Sequence, residues 1–404
     1  MRVKLLEERC TNCNFCSLVL CPQKDVKNAI KSGNCMGCGA CLQACPEEAL
    51  EPDENLEYPF EELMVTVNDH PVRTRGLIKD ALLKTGITIG NFPDQDNNQI
   101  FMPCGSGACW ACSVQVNGRY ALSCITPLSE GMDIQTLKNP PPLRVVSGFG
   151  AHTVGGVGTP YQLKNDNKPV EAVAFTHGCN LSCPQCQNYQ MAFTAGGHLL
   201  DGQETALILL GLQNQYQVNS IAISGGESTL NQSWLLNVVK SIREVNGDVK
   251  IHLDTNGTLL TPDYIDDLVN AGVTEIGVDL KALHTATFMR ITGLEDDDLA
   301  RQYLQTSWEA VKYIIQNNRD HIFLGIGIPY HPELISKEEL EEMGQRIVEI
   351  DPQIQVSLLD YRGEFRRMEM TKPSYEEMIE IKSILDTTGL QIVIAQTSEG
   401  HVGP

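Results

Sequence analysis

The chain has 404 residues, of which 42% are hydrophobic and 20% charged, and this composition predicts a folded protein of two or three domains rather than a disordered one. Its formal net charge of −21 argues against non-specific binding to nucleic acid, which depends on cationic contacts to phosphate. No apolar run approaches the ~18 residues of a membrane span, and the first ten residues lack the apolar core of a signal peptide, so we expect a cytoplasmic protein without a membrane partner.

The fifteen cysteines are the most unusual feature of the composition. In a cytoplasmic protein, cysteines indicate metal binding or catalysis rather than a disulfide framework. Their spacings divide them into four motifs, which follow one another along the chain.

Two runs of four cysteines, each followed by a proline, lie within residues 1–55. The second run has the spacing C-x2-C-x2-C-x3-C-P of bacterial [4Fe-4S] ferredoxins, and the first has one more residue before its last cysteine. In the ferredoxins that this segment resembles, the fourth cysteine of each run binds the other run's cluster. That resemblance implies two ligand sets, Cys10, Cys13, Cys16 and Cys45 for one [4Fe-4S] cluster and Cys35, Cys38, Cys41 and Cys21 for the other. A pair of zinc sites is the alternative.

The third motif lies within residues 56–135, where alternating strands and a turn at Asn68-Asp69 precede a C-x4-C-x2-C sequence. A fourth cysteine follows a strand–turn–strand whose turn is Asn117-Gly118. This is the plant-type [2Fe-2S] arrangement, with the ligands Cys104, Cys109, Cys112 and Cys124. The close fourth cysteine resembles the iron–sulfur subunits of succinate dehydrogenase and the amino-terminal module of xanthine dehydrogenase. The resemblance implies a β-grasp [2Fe-2S] domain, with a zinc site as the alternative.

Residues 136–169 are rich in glycine and proline. The spacing of a dinucleotide-binding glycine motif is absent, and no Gly-Lys-Ser/Thr follows as in a phosphate-binding loop. We therefore interpret this stretch as a linker that packs against the next domain.

From residue 170 to residue 404, short β-branched strands alternate with amphipathic helices. One predicted helix has apolar residues at 234, 235, 238, 239, 242 and 245, which is the spacing of one buried face. Helix starts are predicted at Thr261-Pro262, at Ser336 with Glu339, and at Ser374 with Glu377. The alternation predicts a parallel sheet that curls into a partial (β/α)6-type TIM barrel. Altogether we expect a multidomain α/β and α+β protein.

The fourth cysteine motif, CNLSCPQC, follows the first of these strands and contains Cys179, Cys183 and Cys186. Three thiolates can hold three corners of a [4Fe-4S] cluster and leave the fourth iron without a protein ligand. An open iron can chelate a small molecule through its amino and carboxylate groups, whereas a cluster with four thiolates only carries electrons.

Polar motifs follow the next predicted strands: GGE at 225–227, DTNG at 254–257, and DLK at 279–281. Because side chains alternate along a strand, Asp279 and Lys281 lie on the same side. In a barrel, residues at the strand ends converge on one face, so we expect these motifs to form one site. The alternative is that the acidic residues only cap or solvate the strand ends.

The order of CNLSCPQC, GGE, DTNG and DLK resembles the radical S-adenosylmethionine (SAM) enzymes of the pyruvate formate-lyase activating type, over residues 170–398. THGCN and CQN are similar to uncharacterised radical SAM proteins of anaerobes. The resemblance implies that Cys179, Cys183, Cys186 and Lys281 are catalytic, and that SAM is bound by Gly225, Gly226, Glu227, Asp254 and Lys281. It also implies a monovalent cation, Na+ or K+, on Asp254, Thr255 and Asp279. Independently of the resemblance, the ammonium of SAM can pair with an acidic side chain and its carboxylate with a basic one. Glu227 and Lys281 supply one each.

One position departs from the family pattern. Gln185 stands where the family often has an aromatic residue that seats the adenine, and Tyr189 is the alternative aromatic side chain. His401, near the end of the sequence, is interpreted as a terminal residue rather than a catalytic base.

The predicted function is reductive cleavage of SAM to a 5'-deoxyadenosyl radical that abstracts hydrogen from a protein or peptide substrate. Three [4Fe-4S] clusters and one [2Fe-2S] cluster account for all fifteen cysteines, and a low-potential donor would supply electrons through the fused clusters. Two alternatives remain: a biosynthetic enzyme that acts on a small molecule or cofactor precursor, and a non-catalytic electron-transfer subunit.

Overall fold

The computed structural model describes residues 2–53, 60–93, 98–164 and 168–404. These residues form a multidomain α/β protein with two compact units. The first unit contains Met1–Ser147, Thr176–Asn180 and Asn188–Asp201, and the second contains Gly148–Phe175, Leu181–Gln187 and Gly202–Pro404. The predicted boundary between residues 55 and 56 lies outside the described residues, and the predicted domain limits remain predictions.

The first part of the first unit is closed by a pair of short antiparallel strands, Arg2–Leu5 and Leu50–Asp53, in which Arg2 lies opposite Asp53. Between them lie the 3-10 turn Phe15–Leu18 and the helices Val26–Lys31 and Ala40–Ala44. The strand pair brings the beginning and the end of the segment together. As a result, both cysteine runs are held within one small fold.

The second part of the first unit is a five-stranded sheet. The strands, in spatial order, are His70–Thr74, Leu63–Val67, Asp133–Thr136, Ser113–Val116 and Arg119–Leu122. Leu63–Val67 and Asp133–Thr136 are parallel, and the other neighbouring strands of this sheet are antiparallel. The predicted turns are present, since Asn68, Asp69, Asn117 and Gly118 all have positive φ, as two-residue hairpin turns require.

Several further elements complete this unit. The helix Ile78–Lys84 contributes Ile78 and Leu82 to the buried core of the sheet. The remaining elements are the parallel pair Thr88–Gly90 and Gln99–Phe101, the helix Tyr189–Ala192, and the strand His198–Asp201. His198–Asp201 pairs antiparallel with the first half of Leu143–His152, a strand that lies within the stretch predicted as a linker.

The second unit is built on a largely parallel sheet. Its strands, in spatial order, are Glu171–Thr176, Ser220–Gly225, Lys250–Thr255, Glu275–Asp279, Phe323–Tyr330, Gln355–Asp360, Ile392–Thr397 and Gly400–Val402. Among the described residues, the six strands from Ser220–Gly225 to Ile392–Thr397 are parallel, and Gly400–Val402 returns antiparallel. The carboxyl ends of the parallel strands therefore meet at one edge.

Helices connect these strands. They are Gly202–Tyr216, Gln232–Val245, Pro262–Ala271, Thr285–Thr292, Asp297–Asn318, Lys337–Ile350 and Tyr375–Thr387. The predicted apolar face of Gln232–Val245 is fully buried at 234, 235, 238, 239 and 242, whereas Val245 is 66% exposed at the end of the helix. Thr261 and Ser374 cap their helices as predicted.

Ser336 also caps its helix, but Glu339 does not complete the predicted capping box. The Glu339 carboxylate accepts instead from the backbone amides of Leu283 and His284, at 2.9 and 3.0 Å, and from the Thr287 hydroxyl at 2.7 Å. Glu339 therefore ties its helix to the chain that follows the strand Glu275–Asp279. Across the described ranges, no helix is both long enough and apolar enough to span a membrane.

Candidate active site

The loop that carries Cys183 and Cys186 is fixed to the end of the helix Thr285–Thr292. The Ser182 amide donates to the Thr292 carbonyl at 2.9 Å, and the Gln185 side-chain amide donates to the Ile291 carbonyl at 2.7 Å. Gly293 has a φ of +68°, and a Cβ atom there would lie 2.5 Å from the Ser182 carbonyl oxygen. A glycine is therefore required where the helix ends against the loop.

Gln185 is buried and serves this attachment. Its side-chain oxygen, Oε1, has no hydrogen-bond partner within the described part of the chain. Tyr189, the other residue considered for adenine seating, pairs its ring with that of Phe15 at a centroid distance of 5.2 Å. Adenine seating by either residue remains a prediction. His401 lies in the short strand Gly400–Val402, opposite Gln396.

Glu227 joins two strand ends. It is fully buried, and its Oε1 accepts from the Thr255 hydroxyl at 2.7 Å and from the Thr229 hydroxyl at 2.6 Å. Its Oε2 accepts from the Asn256 amide at 2.8 Å. A buried carboxylate that accepts hydrogen bonds from three residues fixes the backbone around it. Gly225 and Gly226, directly before it, are only half-buried.

Lys281 links the DLK motif to the cysteine loop. Its ammonium lies 3.0 Å from Oδ2 of Asp279, and the residue is 8% exposed. Burial lowers the pKa of Lys281, but Asp279, Tyr361 and Cys183 raise it by more, so the side chain stays a cation. Burial also raises the pKa of the Cys183 thiol, and the nearby Lys281 charge opposes that effect. A cation and a cysteine of the three-cysteine motif thus lie in one electrostatic environment.

Tyr361 was not identified from the sequence. It follows the strand Gln355–Asp360, it is 9% exposed, and its amide donates to the Tyr330 carbonyl at 3.0 Å. Burial raises the pKa of its phenol, with Lys281 opposing and Cys183 and Cys186 reinforcing the shift. Its position directly after a predicted strand was the available signal, but no motif marks it.

Asp254 faces a segment of residues 155–161, which we call the strap. Strand register places Asp254, Gly277, Gly325 and Gln355 in one row across the sheet. The strap follows this row: the Val157 amide donates to Oδ1 of Asp254 at 3.1 Å, and Gln355 donates to the Thr159 carbonyl at 2.9 Å.

The two glycines of the row make the strap possible. A Cβ atom at Gly277 would overlap with the Gly158 amide, and one at Gly325 would overlap with the Val157 carbonyl oxygen. The strap therefore lies directly on the backbone of two strands. It covers the sheet two residues before the paired residues Asp279 and Gly327 on the same two strands.

A buried charged network connects Asp254 to the beginning of the sheet. Glu171 accepts from His152 Nδ1 at 2.8 Å and from His252 Nδ1 at 3.1 Å, and His252 Nε2 lies 3.0 Å from Asp254. Burial opposes charge on each group, but the mutual attraction is larger, so the pKa values of Glu171 and Asp254 fall and that of His252 rises. The Lys164 ammonium donates to the Gly156 carbonyl at 2.6 Å and adds a cation to the network.

We expect Glu171→Gln to lower the stability of the second unit at pH 7 by about 3 kcal/mol, because it leaves the buried His252 charge with one anionic partner fewer. The pKa of Glu171 is lowered by folding, so its contribution is fully present above the unfolded value of about 4.3 and is lost as the pH falls below it. The stability of the variant should therefore depend less on pH below about 4.3. Denaturant titrations at pH 7 and at about pH 2.5 measure both effects, and equal losses at the two pH values would contradict the assignment.

The three residues predicted to hold a monovalent cation have other partners in the structure. Asp254 bonds to Val157 and lies next to His252, the Thr255 hydroxyl donates to Glu227, and Asp279 pairs with Lys281. Among residues 2–53, 60–93, 98–164 and 168–404, no group of three or more His, Cys, Asp or Glu side chains is arranged to hold a single metal ion. The cation remains a prediction.

The first two cysteine runs are interleaved in space. One cavity of the first unit is lined by Cys10, Cys13, Cys16 and Cys45, which are the four residues predicted to share one cluster. In the other set, the pKa of Cys21 is raised by burial and by its neighbours Cys38 and Cys35, and that of Cys41 is raised in the same way. Both sets therefore offer four thiols in one place, a donor set that suits a [4Fe-4S] group.

The four cysteines of the third motif are all buried: Cys104, Cys109, Cys112 and Cys124. The Cys109 thiol donates a hydrogen bond to the sulfur of Cys104 and so lowers the pKa of Cys104. The hydrogen bond between Cys124 and Cys112 raises the pKa of Cys124. Gly105 and Gly107, with φ of +58° and +79°, allow the loop to fold around the sulfur atoms. Four buried, unlinked thiols with polar backbone around them suit a [2Fe-2S] group.

Comparison with known proteins gives three family matches. Residues 173–347 match the radical SAM superfamily, residues 61–139 match a 2Fe-2S iron-sulfur cluster binding domain, and residues 29–51 match a 4Fe-4S binding domain. The matched ranges include all the cysteines of the last three motifs.

Among curated relatives, a "Probable GTP 3',8-cyclase" of Saccharolobus islandicus is 25% identical over 225 residues, covering 49% of this chain and 71% of the relative. A "Putative glycyl-radical enzyme activating enzyme" of Methanocaldococcus jannaschii is 25% identical over 185 residues, covering 46% of this chain and 71% of the relative. The solved structure of Streptococcus suis SuiB bound to S-adenosylmethionine aligns with a TM-score of 0.42 and 16% identity, over 54% of this chain. The chain spans about half the length of SuiB, 48%.

Proposed function

We propose that this chain, an enzyme of the radical SAM superfamily, cleaves SAM reductively and uses the 5'-deoxyadenosyl radical to abstract hydrogen from a protein or peptide substrate. The observation that carries the proposal is the position of Lys281. This buried cation pairs with Asp279 and shares its environment with Cys183, so a group that can bind the SAM carboxylate lies beside the cysteine loop.

Cys179, Cys183 and Cys186 would hold a [4Fe-4S] group, which when bound supplies one electron and an open iron site to SAM. The other twelve cysteines would hold two further [4Fe-4S] groups and one [2Fe-2S] group, which a low-potential donor reduces. We also infer a 2[4Fe-4S] ferredoxin-like segment, a β-grasp domain and a partial (β/α)6-type barrel, and a Na+ or K+ ion at Asp254, Thr255 and Asp279. Full loading corresponds to about 14 iron atoms per chain.

The polar residues of the strand ends have separate tasks in this proposal. Lys281 binds the SAM carboxylate, and Glu227 holds the GGE backbone against Thr255 and Asn256, so that Gly225, Gly226 and Glu227 face the SAM ammonium. Asp254 is positioned by Val157 and His252, beside the bound SAM. Each residue binds or orients SAM. Holding SAM in a fixed geometry lets the reaction take place within one complex instead of through a collision of two free molecules.

Lys281→Met should weaken SAM binding by roughly ten- to a hundredfold, because a hydrogen bond to a charged group contributes about 1.5–3 kcal/mol. Equilibrium binding of SAM to the reconstituted protein measures the change. Lys382→Met is the matched control, since Lys382 pairs with Asp386 on the helix Tyr375–Thr387 and should leave binding unchanged. Equal affinity of Lys281→Met and the parent chain would contradict the assignment of Lys281 to SAM.

The reaction itself is tested by incubating the reconstituted enzyme with SAM and dithionite. We expect 5'-deoxyadenosine and methionine in equal amounts. Their absence, with the iron content and the cluster absorption intact, would overturn the proposal.

The substrate class rests on the relatives. The similarity to the named activating enzyme favours a protein or peptide, whereas the similarity to the named GTP 3',8-cyclase favours a small molecule as the second candidate. Deuterium transfer into 5'-deoxyadenosine separates them. Transfer from a deuterated co-purifying protein supports the first, and transfer from a deuterated small molecule with none from protein supports the second.

A further inference from the structure

Gly178, the residue before Cys179, lies against the loop that carries Cys104 and Cys109. Gly178 and this loop both belong to the first unit. Gly178 has a φ of +88°, and a Cβ atom there would lie 3.2 Å from the Cβ of Cys104. It would also lie 3.4 Å from the Cβ and the backbone nitrogen of Cys109. Glycine both permits this backbone conformation and removes the atom that would crowd the two cysteines.

Hydrogen bonds hold this contact in place. The Val145 amide donates to the Ala108 carbonyl at 3.2 Å, and the His177 amide donates to the Val145 carbonyl at 2.9 Å. The fully buried Arg144 donates to the His177 carbonyl at 3.1 Å. Val145 is therefore hydrogen-bonded to Ala108, which precedes Cys109, and to His177, which lies two residues before Cys179.

The His177 side chain strengthens the attachment from the opposite direction. Its Nδ1 lies 3.1 Å from the Thr194 carbonyl and its Nε2 lies 2.8 Å from the Ser147 hydroxyl. The Thr194 carbonyl can only accept, so Nδ1 donates to it, and Nε2 is free to accept from the Ser147 hydroxyl. Both the backbone and the side chain of His177 thus fix the segment that leads into Cys179.

The first cysteine run also meets this part of the first unit, but less directly. Phe15 contacts Tyr189 through its ring, and the Ala195 amide donates to the Leu18 carbonyl at 3.1 Å. Tyr189 lies three positions beyond Cys186, and none of these contacts involves a cysteine. Gly178, in contrast, lies against Cys104 and Cys109, two predicted ligands of the [2Fe-2S] group. It directly precedes Cys179, a predicted ligand of the [4Fe-4S] group.

We propose that the contact of Gly178 with Cys104 and Cys109 is the point at which the [2Fe-2S] group passes an electron to the group on Cys179, and this rests on the proposed function. With Cys104 and Cys109 holding one group and Cys179 holding the other, one electron would leave the reduced [2Fe-2S] group, which would be oxidised, and the group on Cys179 would be reduced by that electron. A low-potential one-electron reductant, dithionite in the experiment, restores the first group.

The test is the electron paramagnetic resonance of the full chain, reduced with dithionite without SAM until the signal of the Cys179 group appears. Two neighbouring paramagnets speed each other's relaxation, so the [2Fe-2S] signal should saturate at higher microwave power in the parent chain than in Cys183→Ala. Phe15→Leu should retain this high saturation power. Gly178→Ala, whose Cβ crowds Cys104, should lose part of it while keeping the [2Fe-2S] absorption.

Identical saturation of the [2Fe-2S] signal in the parent chain and in Cys183→Ala would overturn the inference, and so would a change confined to the [4Fe-4S] signals of residues 1–55. This result is separate from the proposed function. A parent chain that forms 5'-deoxyadenosine but shows no relaxation difference contradicts only the electron path, whereas a chain that forms none contradicts the function.

Discussion

Cys183→Ala should abolish the formation of 5'-deoxyadenosine from SAM and leave the [2Fe-2S] absorption of the protein unchanged. Cys183 is the buried member of its motif, and its loss leaves two thiolates where three are needed to hold the group. The [2Fe-2S] ligands lie on a separate loop of the first unit and keep all four of their cysteines. Product analysis by chromatography and the visible absorption spectrum measure the two effects on one sample.

Ser182→Ala is the matched control for this variant. Ser182 precedes Cys183 and attaches the loop to the Thr292 carbonyl through its backbone amide, which alanine retains. We therefore expect this control to cleave SAM at the parent rate. Continued cleavage by Cys183→Ala, or a loss of the [2Fe-2S] spectrum along with activity, would show that the cysteine motif does not have the separate role assigned to it.

Gly325→Ala and Gly211→Ala should change the stability of the second unit in opposite directions. A Cβ atom at Gly325 would overlap with the Val157 carbonyl oxygen of the strap, which is backbone and cannot rotate away. Overpacking of this kind costs about 1–3 kcal/mol or more. Gly211 lies in the helix Gly202–Tyr216, and a Cβ atom there would meet no neighbouring atom within 4 Å, so alanine should stabilise by about 0.5–1 kcal/mol.

Denaturant unfolding followed by circular dichroism compares the two variants with the parent chain. Because the strap also positions Asp254, Gly325→Ala should weaken SAM binding as well, whereas Gly211→Ala should not. Equal stability of the two variants would mean that the strap does not lie on the sheet at Gly325. A loss of stability without a loss of SAM affinity would show that the strap does not position Asp254 for SAM binding.

Local sequence patterns predicted the parts of the structure that depend on nearby residues. The Asn117-Gly118 turn, the Thr261 cap and the buried face of the helix Gln232–Val245 all follow from conformational preference or spacing within a few positions. The cysteine motifs are also local signals, because the spacing of the cysteines along the chain identifies them, and their assignment as ligands stays a prediction. Strand alternation could also have identified His252, which lies on the same face as Asp254.

By itself, the sequence determined the four cysteine motifs, the order of the strands along the chain and the polar motifs that follow them. Only the tertiary structure decided that Gly178 lies on Cys104, that Glu339 bonds to Leu283 rather than completing a capping box, and that the strap crosses the sheet. Each of these contacts joins a backbone group to residues far away in the chain, as Tyr161 does with Gln355, 194 positions later. Backbone amides are present at almost every residue, and the sequence around a glycine does not show what packs against it. The partners of these groups are therefore fixed only when the whole chain has packed.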